Sequence, residues 1–189
     1  MKSDFLKNYQ LKKIGFKKVG KNCNISKYTR TYSANISIGN NSRIDDDVIL
    51  KGKINIGSNV HLARGCTLSG GNKGIYIGDF STFSNYVQIF SSSDDYQANA
   101  IPSGTLSKNL SKDYCALYES KIIIGEGCLF GSMCTILPGA NVGDFSSFAA
   151  YSVIFKKFNG GIFYSKEKKI TRDKEMIKKK LASLKKKTK

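Results

Sequence analysis

Apolar side chains return at every sixth residue of this chain, at Ile38, Ile44, Leu50, Ile56, Leu62 and Leu68. Three extra residues interrupt the beat, which resumes at Ile77, Phe83 and Ile89. A second run keeps the same spacing through Ile124, Phe130, Ile136, Val142, Phe148 and Ile154. A helix repeats about every 3.6 residues and a strand about every two, so neither produces this period. A fixed short repeat instead predicts stacked units that share one continuous core, each too small to bury its apolar face alone. The period is that of the hexapeptide β-helix.

The remaining hexad positions agree. Glycine often follows the apolar residue, at Gly39, Gly57, Gly78, Gly125, Gly131 and Gly143, which is expected to supply the backbone freedom of a sharp corner. The fifth position is compact, with Ser42, Val48, Val60, Cys66, Ser81, Val87, Cys128, Cys134, Ala140, Ser146 and Ser152, as a narrow prism requires. An ordinary β-sandwich is the alternative, and two runs in register at six argue against it. The fold class is therefore all-β: a parallel β-helix of hexapeptide repeats, with an extended loop and a C-terminal α-helix.

The beat also sets the boundaries. Residues 1–18 form a basic lead-in with a short helix, residues 19–155 the β-helix, and residues 156–189 a basic end and helix. Residues 94–121 leave the beat, and a polar excursion of this length in a compact domain is usually functional. In the tail, Ile177, Leu181 and Leu184 sit at helical spacing among lysines, which predicts an amphipathic helix docked on the coils.

Charge and cysteines narrow the function. The net charge of +17 is concentrated toward residues 2–21 and 166–189. Such a surface suits anionic ligands, among them coenzyme phosphates and nucleotide diphosphates, and peripheral contact with an anionic membrane is compatible with it. Nucleic-acid binding fits the charge, but no motif supports specific nucleic-acid recognition. Five cysteines, an odd number mostly at compact hexad positions, read as structural thiols rather than disulfides or metal ligands. With no long apolar span and no secretory pattern, a cytoplasmic location is expected.

Local sequences carry a family resemblance. Ile136-Leu137-Pro138-Gly139-Ala140-Asn141-Val142-Gly143-Asp144 resembles the left-handed β-helix (hexapeptide-repeat) acyltransferases. Arg43-Ile44-Asp45-Asp46, Asn59-Val60-His61-Leu62-Ala63, Gly78-Asp79-Phe80-Ser81 and Ser93-Asp94-Asp95-Tyr96 are similar to signatures of bacterial sugar O-acetyltransferases. The resemblance implies the left hand, a homotrimer, acetyl-CoA as acyl donor, and acetylation of a hydroxyl or amino group, often on a sugar. Its leading implication is transfer of acetyl to a sugar hydroxyl in surface-polysaccharide biosynthesis. N-acetylation of a nucleotide-linked amino sugar is the nearest variant.

Stacking at three hexads per coil places Arg43, His61 and Thr82 at equivalent points of successive coils, with Asp45, Asp46, Arg64, Ser84 and Asn85 just beyond. This polar edge is a candidate acceptor site, since charge-assisted hydrogen bonds hold sugar hydroxyls. His61 is the only histidine and the preferred candidate base for a hydroxyl acceptor, oriented by Asp45 or Asp46. Val87-Gln88-Ile89-Phe90 resembles the segment after which related enzymes carry their catalytic histidine, and that place falls at or beside Asp94. Asp94 is accordingly the second catalytic candidate, with Asp95 and Tyr96 as acceptor contacts.

For the coenzyme, the resemblance implicates Gly131 and Ser132 beside the pantetheine arm. It likewise implicates Ala149, Ala150 and Ser152 nearer the nucleotide, and Lys156 and Lys166 at the phosphates. Two other classes are weighed against an enzyme. A γ-type carbonic anhydrase needs three zinc-binding histidines, which one histidine cannot supply. A non-catalytic scaffold or nucleic-acid binder is separated from an enzyme by measuring acetyl-CoA binding.

Overall fold

A computed structural model describes residues 5–94, 114–165, 169–171 and 174–187. Short parallel strands coil into a three-faced prism. The second face stacks Asn24–Ile25, Arg43–Ile44, His61–Leu62, Thr82–Phe83, Leu129–Phe130, Ser147–Phe148 and Ile162–Tyr164 in chain order. The third face holds the start of Ile49–Ile56, then Thr67–Ser69, Gln88–Phe90, Thr135–Ile136 and Val153–Ile154. The first face holds the ends of Arg30–Ile38 and Ile49–Ile56, then Ile75–Ile77, Ile122–Ile124, Asn141–Val142 and Lys157–Phe158. Coils run from Phe16–Val19 to Ile162–Tyr164, wider at both ends than the expected 19–155.

Register obeys the six-residue arithmetic. Ile38, Ile56 and Ile77 pair on the first face, and Ile44, Leu62 and Phe83 on the second. All of these side chains point inward and are buried. The compact fifth positions are buried as well, from Ser42 and Val48 to Cys134, Ala140 and Ser152. Phe83, Phe130 and Phe148 form an internal ladder, with ring centroids 4.9 and 5.1 Å apart and planes within 4° of parallel. Each such contact adds about 0.5–1.5 kcal/mol beyond the burial of its area.

The corners correct the expectation for glycine. At these corners the left-handed residue is three past the apolar position: Asn41 at φ 55°, Asn59 at 57°, Phe80 at 58°, Tyr86 at 61° and Tyr151 at 61°. The glycines directly after the apolar residues are needed for a different reason, close packing of one coil on the next. A Cβ on Gly39 would lie 2.6 Å from the Ser58 nitrogen, and one on Gly131 would lie 2.4 Å from the Ala150 nitrogen.

The N-terminal helix Asn8–Lys13 caps one end of the prism through buried Leu11. The C-terminal helix spans Lys174–Lys187, and the side chains of Ile177, Leu181 and Leu184, on which its expected docking depends, lie outside the described residues. The excursion leaves the third face through Ser92–Asp94, which pairs antiparallel with Leu117–Glu119. Among the described residues no helix is long and apolar enough to cross a membrane.

Candidate active site

Two edges of the prism carry the chemistry. On the edge between the second and third faces, main-chain bonds stack Asp45 on Leu62, Ala63 on Phe83, Ser84 on Phe130 and Gly131 on Phe148, one coil at a time. One residue further along, Asp46, Arg64, Asn85 and Ser132 each accept a main-chain bond from the next coil's left-handed corner or its equivalent glycine. The acceptor candidates and the pantetheine candidates therefore share one edge, with the former in the early coils and the latter in the late ones.

Arg43 and His61 are direct neighbours across the coils, as the spacing predicts, and Thr82 follows. They sit on the outward side of the second face. His61 Nε2 lies 2.9 Å from Asp45 Oδ2, and Arg43 Nε donates to Asp45 Oδ1 at 2.5 Å. A carboxylate can only accept, so in the neutral ring Nε2 carries the proton and Nδ1 the lone pair. Partial burial raises the Asp45 carboxyl, but hydrogen bonds and charge from His61 and Arg43 outweigh it and hold its pKa below the ordinary value. Asp46 does not orient the imidazole: it accepts from the Ser26 hydroxyl at 2.5 Å. Arg64 is engaged with Asp47, donating from Nε at 3.1 Å and Nη2 at 2.9 Å, and Asn85 is exposed.

The coenzyme candidates separate by side-chain direction. Gly131, Ser132, Ala149 and Ala150 form a narrow strip with no bulky side chain. Ser152 departs from the expected role, because its hydroxyl is inside the prism and donates to the Ala149 carbonyl at 2.7 Å. Lys156 stands on another edge, where with Lys157, Phe158, Asn159, Ile162 and Tyr164 it lines a groove of about 410 Å³. Its Nζ lies 5.9 Å over the Phe158 ring. Asp95, Tyr96 and Lys166 lie outside the described residues.

Asp94 belongs to that other edge, between the third and first faces, where the excursion departs. The chain does not bring it together with His61 on a common strand or face. What the six-residue count passed over is how much of this edge is basic. Lys51, Lys53, Lys73, Lys121, Lys156 and Lys157 all fall there, and all are exposed. Plotting charge against hexad position, rather than against chain ends, would have found them.

Three of the thiols, those of Cys66, Cys128 and Cys134, are buried inside the prism. Burial pushes the thiols of Cys66 and Cys128 up to about 11, and that of Cys134 up as well, so they are poor nucleophiles and poor metal ligands. Among the described residues no group of histidine, cysteine or carboxylate side chains is placed to hold a metal.

A hexapeptide prism with a polar edge, a strip of small residues and a loop excursion defines an acyltransferase scaffold, and this chain belongs to the left-handed β-helix (hexapeptide-repeat) acyltransferases. It is 32% identical over 154 residues, 79% of its own length and 78% of the other's, to a dTDP-4-amino-4,6-dideoxy-D-glucose acyltransferase of Escherichia coli. Its structure matches AntD, an N-acyltransferase of Bacillus cereus solved with dTDP-4-amino-4,6-dideoxyglucose and coenzyme A, at 32% identity and TM-score 0.84 over 98% of this chain and 99% of that one. The match to AntD with dTDP and 3-hydroxybutyryl-CoA reaches a TM-score of 0.88 over 99% and 100%. Variants of AntD with a substituted serine and with a substituted aspartate have also been solved with coenzyme A. A maltose O-acetyltransferase of Clostridium difficile shares the fold at 23% identity and TM-score 0.54, over 90% of this chain and 79% of that one. No family model matches the chain.

Proposed function

We propose that the protein is an acyl-CoA-dependent N-acyltransferase whose acceptor is the amino group of a nucleotide-linked amino sugar. The observation that carries this reading is the correspondence, along nearly the whole chain, with an enzyme of that description. It replaces the hydroxyl acceptor favoured by the local signatures. The amine nitrogen attacks the thioester carbonyl, a C–N bond forms and the C–S bond breaks. The amine proton goes to Asp94 at the root of the excursion and then to the departing coenzyme thiolate. An unprotonated amine is already nucleophilic, so the base acts late and need not be a histidine.

The chain's own residues fit a coenzyme of this kind. The strip at Gly131, Ser132, Ala149 and Ala150 leaves room for an extended pantetheine arm, and the exposed Lys156 and Lys157 offer charge to its phosphates. These groups lie on different edges of one prism, which is the reason to expect a homotrimer in which the edge of one subunit completes that of the next. Exposed Leu129, Met133, Tyr151, Val153 and Phe155 supply apolar surface for such a contact.

A second reading, acetyl transfer to a sugar hydroxyl with His61 as base, is favoured by the Asp45–His61–Arg43 arrangement. Acylation assays with dTDP-linked 4-amino and 4-hydroxy sugars, using acetyl-CoA and 3-hydroxybutyryl-CoA, separate the two. Turnover of the amino sugar alone supports N-acylation. Turnover of only the hydroxy sugar overturns it.

A further inference from the structure

The lysine-rich edge is irregular in four successive coils. In the first, Ser33 and Ala34 bulge opposite Gly52, and Ser33 takes a left-handed φ of 44°. In the second, Gly52 at φ 75° continues a single long strand around the corner. The third holds the extra residues at Gly70, Gly71 and Asn72, and the fourth holds the excursion. Bulges and left-handed residues stacked on one edge re-aim side chains and are commonly kept where a ligand sits.

The first three irregularities enclose a groove of about 410 Å³, within the usual range of small-molecule sites. Lys51 and Lys53 flank it on either side of Gly52, and Ser33, Asn35 and Asn72 add neutral hydrogen-bonding groups. Gly71 forms part of the lining, and beneath it the Ser91 hydroxyl is 1% exposed with no hydrogen-bond partner among the described residues. A buried hydroxyl without a partner is uncommon and marks a place where a polar contact is missing. The groove is cationic at Lys51 and Lys53, lysines continue along the edge at Lys73, Lys121, Lys156 and Lys157, and the excursion root sets the carboxylates of Glu119 and Asp94 among them. Glu119 Oε1 lies 3.7 Å from where a Cβ on Gly71 would be.

We infer that this groove is the subsite for the diphosphate of the nucleotide-linked acceptor, held between Lys51 and Lys53, with the sugar amine directed toward Glu119 and Asp94. The inference rests on the reading of the acceptor given above and assigns it a place. A ligand with a diphosphate and, further along, a neutral amine matches a lysine-flanked groove with carboxylates beside it, since the lysines hold the phosphates and a carboxylate accepts a hydrogen bond from the amine. The second lysine-bearing groove, at Lys156 and Lys157 in the last coil, is left to the other phosphate-bearing substrate.

Titration calorimetry with thymidine diphosphate, inorganic pyrophosphate and coenzyme A tests the placement. The double variant Lys51→Ala/Lys53→Ala is expected to lose roughly 10- to 100-fold in affinity for thymidine diphosphate, since hydrogen bonds to charged groups are the stronger kind. The KM of the amino-sugar acceptor rises to match, while coenzyme A affinity and melting temperature stay within error. The double variant Lys180→Ala/Lys186→Ala, in the C-terminal helix, is the charge-matched control and leaves all of these unchanged. If the wild type binds thymidine diphosphate and the double variant binds it equally well, or loses coenzyme A instead, the subsite is wrong although the acceptor class stands. If the wild type neither binds the nucleotide nor acylates a nucleotide-linked amino sugar, the acceptor class itself has failed.

Discussion

The edge that carries Asp45, Asp46, Arg64 and Ser132 keeps the six-residue count through every coil, whereas the lysine edge breaks it repeatedly. On the regular edge, each main chain hydrogen-bonds to the next, Gly65 takes a left-handed corner at φ 72°, and Gly131 lets coils touch. On the irregular edge, a bulge, an insertion and a long excursion interrupt the stack and concentrate exposed lysines. The regular edge is built by periodicity and the other by departures from it. A solenoid tolerates such departures because each coil contacts only its neighbours, so an extra loop on one edge leaves the register of the core intact. Function is therefore best sought where the repeat fails.

Asp94 and His61 divide that comparison most sharply. Asp94→Asn is expected to lower kcat for an amino-sugar acceptor by roughly 100- to 10,000-fold, the usual worth of general acid–base catalysis. His61→Ala, on the regular edge, is expected to cost under about tenfold. A large loss in His61→Ala with little change in Asp94→Asn would move the chemistry to the regular edge and favour the hydroxyl acceptor.

The interior should behave as neither edge does. With thiols pushed up to about 11, Cys66 and Cys128 are ionised at pH 8 to roughly one part in a thousand, and native packing also screens them. Mass spectrometry after brief alkylation of native protein should find label at the half-exposed Cys23 and Cys115, with Cys66 and Cys128 modified only after unfolding. Rapid native labelling of Cys66 would mean the coils open locally.

The two edges should also differ in what they tolerate. Gly131→Val puts a Cβ 2.4 Å from the Ala150 nitrogen, against main chain that cannot yield, and is expected to cost about 1–3 kcal/mol or more in denaturant unfolding. One residue inserted between Asn72 and Lys73, in the irregular corner, should cost under about 1 kcal/mol, because loop-closure entropy grows slowly with length. Equal costs would erase the distinction between a packed edge and an open one.

How much of this was legible in the sequence follows the same division. The apolar count placed Ile44 on Leu62 and Leu62 on Phe83, and with them the neighbours Arg43, His61 and Thr82, because inward positions fix register. It also placed the Asp45 carboxylate where it meets His61. It misread the glycines, since a period shows that small residues recur but not whether φ or close packing demands them. It left Ser152 facing the coenzyme, because a compact hexad position looks the same whether it fills the prism or lines a surface. The lysine groove was missed for a further reason. Ser33, Lys51 and Asn72 come from three different coils and belong to no motif, and only the stacking brings them together.

The smallest effect concerns the carboxylate that ties the regular edge to its histidine. The folded-state pKa of Asp45 is held below its unfolded value by His61 and Arg43, so its contribution to stability is fully present above the unfolded pKa, near 4. That contribution is lost as the pH falls through the lower folded pKa. Between about pH 5 and pH 3, the melting temperature of Asp45→Asn should therefore fall less steeply than that of the wild type. The difference in stability should stay within about 1 kcal/mol, as for other ion pairs open to solvent. Thermal melts of both proteins across this range read it directly. If the two acid limbs superimpose, the Asp45–His61 contact contributes nothing in solution. His61 would then have no oriented lone pair, and the regular edge would lose its claim to the chemistry.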